Sequence, residues 1–144
     1  MKIEIRYQSR GGNTKAAAKQ IANEFAIQAQ SIEVPITEYT DILFLGGGVY
    51  EWRMDKTLRE FMNSLDCQKI GQMICFSTTG YMNSAIEQMK HIAKEKGIAV
   101  NHNELLIKML LKGHSWLGLE GGHLSDKQMK TIINFTDKIK KEIQ

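Results

Sequence analysis

Apolar and polar residues follow one another along this chain with two periods, and each period predicts a different element. Residues 2–7 alternate between apolar and polar side chains, which is typical of a β-strand. Further on, the apolar residues are spaced like one face of a helix. They are Ala17, Ala18, Ile21, Ala22 and Phe25. The chain therefore opens with a predicted strand and a predicted helix, joined by a turn at residues 9–14.

The same patterns predict four more strands. Residues 32–36 alternate, and Pro35 within them suits an edge strand because it cannot donate to a ladder. Continuous apolar runs at residues 41–45 and 73–76 indicate strands that are buried on both faces. A fifth strand is predicted at residues 105–109, and His102 before it is expected in a loop.

Three more helices are predicted by the helical spacing of apolar residues. The second begins near Asp55, the third ends at Lys96-Gly97, and Ser125 caps the last. Their predicted inner faces are Leu58, Phe61, Met62 and Leu65, then Ile86, Met89, Ile92 and Ala93, then Met129, Ile132, Ile133, Thr136 and Ile139. Regular alternation of strands and helices predicts an α/β class with a mainly parallel sheet covered on both faces, in a single domain over residues 1–144.

Composition narrows the function classes. The 144 residues are 42% apolar and 24% charged, which is ordinary for one globular domain. The formal charge of +3 comes from dispersed basic residues, so nucleic-acid binding is not indicated. No apolar run approaches the roughly 20 residues that span a bilayer, and no apolar signal segment precedes the first strand. Cys67 and Cys75 lack metal-ligand spacing, so we expect no metal site and a cytoplasmic location.

The turn between the first strand and the first helix is a candidate phosphate site. The first amides of a helix lack intrahelical partners, and the helix dipole favours an anion there. The turn consists of Ser9, Arg10, Gly11, Gly12, Asn13 and Thr14. Taken alone, these residues fit a plain capped turn equally well. The nucleoside-triphosphate loop is excluded because Asn13, not lysine, follows the last glycine.

Two further loops leave predicted strands in the same way. They span residues 46–54 and 77–83, and like the first turn they contain glycines, hydroxyl groups and aromatic residues. In open α/β sheets, ligands bind beyond the carboxyl ends of the strands, where the winding reverses. The agreement of three such loops predicts one shared ligand site.

With these motifs the chain resembles the flavodoxin family from Ile3 to Ile139. The first loop of that family reads Thr/Ser-x-Thr/Ser-Gly-Asn-Thr, and this chain matches it at Ser9, Gly12, Asn13 and Thr14. Gly11 replaces a hydroxyl residue, and Arg10 is free to offer a charge. The resemblance implies a three-layer flavodoxin-like sandwich with a five-stranded parallel sheet in the order 2-1-3-4-5. It also implies that the first loop holds the phosphate of FMN.

The later loops extend the resemblance. Gly46, Val49 and Tyr50 match a Gly-x-Pro-Val-Tyr loop in which Gly48 replaces proline, and residues 77–80 are similar to the flavin-edge loop. Residues 121–126 are similar to the family's lead into the last helix. Tyr50, Trp52 and Tyr81 are expected as walls of the flavin ring, and Gly47-Gly48 as a peptide that can turn over cheaply. The remaining implied FMN-binding residues are Glu51, Ser77, Thr78, Thr79 and Gly80.

Three functions remain open at this stage. The first is a flavodoxin-like electron carrier that passes electrons between a reductase and a partner redox enzyme, with no catalytic residues of its own. The second is an FMN-dependent NAD(P)H oxidoreductase of the quinone-reductase type, suggested by His114 and Trp116 in the loop after the fifth strand. The third is a flavin-free interaction domain, suggested by Gly11. NAD(P)H oxidation without a partner protein would separate the second from the first.

Overall fold

The computed structural model describes residues 1–50, 53–78, 84–109 and 122–144. The strands are β1 (Ile3–Tyr7), β2 (Gln30–Ser31), β3 (Thr40–Gly46), β4 (Val49–Tyr50), β5 (Arg53–Met54), β6 (Ile70–Ser77) and β7 (Val100–Leu106). The helices are α1 (Asn13–Glu24), α2 (Lys56–Ser64), α3 (Ser84–Glu95) and α4 (Asp126–Ile143), with a short 3₁₀ helix at Cys67–Lys69. No helix among the described residues has the length and apolar character needed to cross a membrane.

Five strands form one parallel sheet in the order β2-β1-β3-β6-β7. This is the order 2-1-3-4-5 that the resemblance implied, so the predicted fold class is confirmed. The short strands β4 and β5 form a separate antiparallel pair between β3 and α2. All five sheet strands point the same way, so the loops after β1, β3 and β6 leave from one edge of the sheet.

The two faces of the sheet bury separate apolar clusters. On the face covered by α1 and α4, the ring of Phe44 lies 5.4 Å from Phe25 and 6.3 Å from Phe135, measured between centroids. On the other face, α2 and α3 cover a cluster that includes Leu43 and Cys75. Burial raises the pKa of the Cys75 thiol to about 12, so this cysteine is a packing residue. The continuous apolar runs of the central strands supply both layers, as predicted.

The first edge strand differs from its prediction. It is β2 at Gln30–Ser31, whereas residues 32–36 were predicted. The amide of Ile32 still donates to Tyr7 O at 3.0 Å, but Val34 N then donates back to Ser31 O and closes a turn. Ile32 and Ile36 pack against the second apolar cluster from this irregular segment. The alternation of apolar and polar residues over 32–36 therefore reflects the packing of Ile32 and Ile36 on the second cluster, and not a strand that pairs in the sheet.

The opposite edge strand was also predicted wrongly. It is β7 at Val100–Leu106 and so begins five residues before the predicted start at residue 105. His102, which was expected in a loop, lies within it. The strand carries the polar run 101–104, whose side chains turn outward or find polar partners. Asn103, for example, is buried and donates to Glu142 of α4 at 2.9 Å. An edge strand that is partly exposed shows no apolar run for the sequence pattern to detect.

The inner face of α4 contains one residue that the helical pattern did not select. Phe135 is 8% exposed and packs in the first cluster, whereas Met129, predicted to face inward, is 37% exposed. Ile132, Thr136 and Ile139 are buried as predicted.

This difference between Phe135 and Met129 gives a stability prediction. Phe135→Ala should lower the free energy of unfolding by about 3–5 kcal/mol, because it removes a large side chain from a packed cluster. Met129→Ala, the matched control, should change it by no more than about 0.5 kcal/mol. Urea unfolding followed by circular dichroism measures both values. A larger loss in Met129→Ala than in Phe135→Ala would mean that α4 packs through the face predicted from the sequence.

Candidate functional site

The candidate site lies at the edge of the sheet where β1, β3 and β6 end. Backbone hydrogen bonds join these ends: Gln8 N donates to Gly46 O at 3.0 Å, and Gly47 N donates to Phe76 O at 3.3 Å. The chain is therefore held in register one residue past β1 and β3, where the predicted loops begin.

The turn after β1 leads directly into α1. Gly12 is the N-cap of α1 and has φ 92°, a left-handed conformation that favours glycine. Ser9 Oγ accepts a hydrogen bond from Gly12 N at 3.0 Å, which closes the turn. The N-cap provides no side-chain hydrogen bond to the helix. The start of α1 therefore lacks the side-chain acceptor that caps most helices, and an anion can take that position.

The Asn13 side chain connects the turn to two other parts of the chain. Its Nδ2 donates to Met109 O at 3.2 Å, and its Oδ1 accepts from Gly122 N at 2.8 Å. Gly122 has φ 97°, and a Cβ atom there would lie 3.3 Å from Gly12 O. The Asn13 side chain thus ties the start of α1 to Met109, which follows β7, and to Gly122, which precedes α4.

Thr14 joins the first turn to the loop after β6. Its hydroxyl lies 3.0 Å from the hydroxyl of Thr78, and the two residues are 2% and 3% exposed. Two loops that are 64 residues apart in sequence are therefore linked by a buried hydrogen bond.

Two glycines at the end of β3 are required by packing. A Cβ atom on Gly46 would lie 2.1 Å from the ring of Phe76, and one on Gly47 would lie 2.3 Å from Leu58 Cδ2 in α2. Both distances are below 3.0 Å, so the ring of Phe76 or the Leu58 methyl group would have to shift to admit a side chain. These close approaches are sufficient to explain why positions 46 and 47 are glycine. A flip of the Gly47-Gly48 peptide stays a prediction.

Arg10 is paired and not free, which corrects the expectation from the sequence. Its Nη2 and Nε donate to Asp55 Oδ2 at 2.9 and 3.2 Å. Asp55 is the N-cap of α2, and its Oδ1 accepts from Thr57 N at 2.8 Å and from the Thr57 hydroxyl. Burial alone would raise the pKa of Asp55, but hydrogen bonds from Thr57 and Arg10 outweigh it and lower that pKa. Asp55 is therefore a carboxylate at neutral pH.

Some of the predicted FMN-binding residues have a position in this site and others do not. Ser77, the last residue of β6, is buried. Val49 and Tyr50 form β4, which pairs with Arg53 and Met54 of β5. Several predicted residues lie outside the described part of the chain: Glu51, Trp52, Thr79, Gly80 and Tyr81, together with His114, Trp116 and Gly121.

Two residues of the site were missed as site residues from the sequence. Asp55 was predicted near the start of a helix, but the sequence did not identify it as the partner of Arg10. Gln8, directly before Ser9, is 9% exposed, and its Oε1 has no hydrogen-bond partner among the described residues. A buried acceptor without a partner is costly in a folded chain, so Gln8 Oε1 offers a hydrogen bond to a ligand hydroxyl or amide. No cluster of potential metal ligands occurs within the described ranges.

Comparisons with known proteins agree with this architecture. The family model described as a flavodoxin domain matches residues 4–139. No curated protein sequence gives a significant match. Among solved structures, the chain is similar to a flavodoxin from the domain Archaea, with 21% identity, a TM-score of 0.67, and coverage of 97% of this chain and 99% of that one.

Two other solved structures are similar. Oxidised flavodoxin 2 from Bacillus cereus is 16% identical, with a TM-score of 0.70 over 99% of each chain. The rubredoxin oxygen:oxidoreductase from Desulfovibrio gigas is 10% identical, with a TM-score of 0.69, and the match covers 99% of this chain but 36% of that one. At these identities the structural matches establish the fold.

The lowered pKa of Asp55 gives a prediction for the dependence of stability on pH. A carboxylate whose pKa is lower in the folded chain stabilises the fold above its ordinary pKa, and this contribution is lost as the pH falls through the lowered value. Asp55→Asn should therefore be less stable than the wild type at neutral pH, and the gap should close in acid. Urea unfolding of both proteins at neutral pH and below the ordinary aspartate range measures the gap. A gap of the same size at both pH values would contradict the assignment.

Proposed function

Because the chain belongs to the flavodoxin family, we propose that it binds FMN at the carboxyl edge of its sheet and carries electrons between a reductase and a partner redox enzyme. The observation that carries this proposal is the start of α1, where a glycine turn precedes a helix without a side-chain cap. A phosphate is the kind of group that such a helix start binds.

The proposed phosphate site uses backbone amides more than side chains. The first amides of α1 and the hydroxyl of Ser9 face an anion bound at the turn, and this donor set suits a phosphate dianion. The Asn13 side chain is already used between Met109 and Gly122, and the Thr14 hydroxyl is shared with Thr78. Gly11, where the family has a hydroxyl residue, adds no side-chain donor. The residues of the turn therefore fit the phosphate group of FMN.

The proposed ring site is formed by the loops after β3 and β6. Tyr50, Trp52 and Tyr81 supply flat aromatic walls, because offset stacking suits an extended ring. Polar groups along the ring edge come from the same loops, at Gly47, Gly48, Val49, Glu51, Ser77, Thr78, Thr79 and Gly80. Bound FMN supplies the redox chemistry, since it accepts and returns electrons one or two at a time.

We propose the electron carrier before the reductase because it makes the smaller demand on the chain, since His114 and Trp116, which suggested the reductase, lie outside the described residues. The carrier needs only a flavin site with an exposed edge and a partner surface, whereas a reductase also needs a substrate site. The formal charge of +3 suits a partner with an acidic or neutral surface. Neither cysteine is in a disulfide, which supports the cytoplasmic location expected from the sequence. Steady-state NAD(P)H oxidation by the purified chain alone would instead indicate the reductase.

The phosphate site is tested by comparing FMN with riboflavin, which lacks the phosphate. FMN should bind more tightly than riboflavin, and Thr14→Val should weaken FMN binding by no more than about 1.5 kcal/mol, because the Thr14 hydroxyl is shared with Thr78. Calorimetric titration gives both affinities. Thr131→Val is the matched control, because Thr131 is exposed on α4 and its hydroxyl donates only within that helix, to Lys127 O at 2.9 Å. Equal affinities of the wild type for FMN and riboflavin would refute the phosphate site.

The ring walls are tested by changes in the flavin spectrum. Trp52→Ala and Tyr81→Ala should each shift the visible spectrum of added FMN and raise its dissociation constant, because stacking on the ring is lost. Tyr39→Ala is the control: Tyr39 is exposed and directly precedes β3, at the opposite end of the strand from Gly46. If both wall variants behave like the control, Tyr50 becomes the main candidate for a wall.

A further inference from the structure

The ion pair between Arg10 and Asp55 connects two loops that the proposed function uses for different parts of one ligand. Arg10 belongs to the turn that holds the phosphate, and Asp55 directly follows β5, where the chain leaves the loop after β3. The two residues are 45 positions apart in sequence, and two hydrogen bonds join them. The pair is therefore a direct connection between the phosphate end and the ring end of the site.

Asp55 is held in place from two sides. One carboxylate oxygen caps α2 through Thr57, and the other receives the guanidinium of Arg10. Its side chain is 5% exposed, whereas that of Arg10 is 61% exposed. A buried carboxylate fixed by its own helix is a rigid anchor, so the flexible partner in this pair is the arginine. The ion pair therefore holds the Arg10 side chain against the start of α2.

This geometry argues against a direct charge from Arg10 to the phosphate. One edge of the guanidinium, formed by Nε and Nη2, is directed at Asp55 Oδ2. Turning that edge to a ligand would leave the Asp55 carboxylate buried without its cation, and an unpaired buried charge is costly. Moving the Arg10 guanidinium from Asp55 to a phosphate would therefore cost free energy. A phosphate site built from backbone amides does not require that move.

We propose that Arg10 is a positioning residue: its ion pair with Asp55 sets the start of α2, and so the loop after β3, against the phosphate turn. The proposal rests on the proposed function, because it concerns the same flavin site. It assigns to Arg10 an effect on the whole ligand and not on the phosphate alone.

The test uses FMN and riboflavin with variants of both partners. Arg10→Gln and Asp55→Asn should each raise the dissociation constants of both ligands by about fivefold, a modest factor because Arg10 is largely exposed. Asparagine is a good N-cap, so Asp55→Asn keeps the bond from Thr57 while removing the charge. Because the two changes break one interaction, the double variant should bind no more weakly than either single one. Arg10→Lys, which keeps the charge, should recover most of the affinity.

Lys56→Gln is the matched control. Lys56 lies beside Asp55 in the first turn of α2, and its exposed side chain lies 3.9 Å from Glu60, also exposed, on the outer face of that helix. Both ligands should bind this variant as they bind the wild type. A loss equal to that of Arg10→Gln would mean that general positive charge, and not the pair with Asp55, supports binding, and would overturn the proposal.

A direct role of Arg10 at the phosphate makes opposite predictions. Arg10→Gln would then weaken FMN but leave riboflavin unchanged, and Asp55→Asn would strengthen FMN by releasing the arginine. Either result overturns the proposal. Unchanged affinities in both variants also overturn it, while leaving FMN binding by the wild type intact.

Hydrogen exchange of the chain without flavin provides a readout that does not depend on the ligand. In Arg10→Gln and in Asp55→Asn, amides of residues 9–14 and 53–58 should exchange faster than in the wild type, because each segment loses its link to the other. If the wild type binds neither flavin, the proposed function fails and this measurement decides the inference alone. Faster exchange in both segments supports the link, and unchanged exchange overturns it.

Discussion

The close approach of backbone and side chains at the end of β3 is the constraint on which the rest of the site depends. Gly46 leaves room for the ring of Phe76, and Gly47 leaves room for Leu58. Because Leu58 can pack there, α2 starts close to the sheet edge. Asp55, at the beginning of that helix, then comes within hydrogen-bond distance of Arg10. A side chain at Gly47 would displace the Leu58 side chain of α2, and one at Gly46 would displace the ring of Phe76.

A second set of contacts converges on the start of α1. Asn13 holds Met109 and Gly122, and Thr14 holds Thr78. These polar side chains stabilise the arrangement of the loops, but they are then less available to a ligand. In the proposal, the turn binds an anion mainly through the first amides of α1 and through the helix dipole. The same short segment can therefore organise its neighbours and still accept a phosphate.

The sequence predicted the parts of the fold whose burial is regular. The runs at residues 42–45 and 73–76 are apolar because β3 and β6 are covered on both faces, so their pattern is unambiguous. The bounds of the edge strands were predicted wrongly because β2 is only two residues long and β7 is polar over residues 101–104. The spacing of apolar residues does not reveal the bounds of a strand that is short or half exposed. The wrong choice of Met129 over Phe135 for the inner face of α4 has a similar cause. Helical spacing alone does not decide which residues at the border of that face are buried.

The candidate site also has a part that could be predicted from the sequence and a part that could not. Its location followed from the order of the loops, because parallel strands bring their carboxyl ends together whatever the side chains are. The partners of individual side chains did not follow, because they depend on distances between distant segments. Arg10 looked free in the sequence, since its partner stands 45 residues later and reads only as a helix cap. Once paired, it cancels the charge of a buried carboxylate and adds little net charge to the turn. Because Asp55 offsets the charge of Arg10, a count of the basic residues near the turn overstates how strongly this end of the sheet attracts an anion.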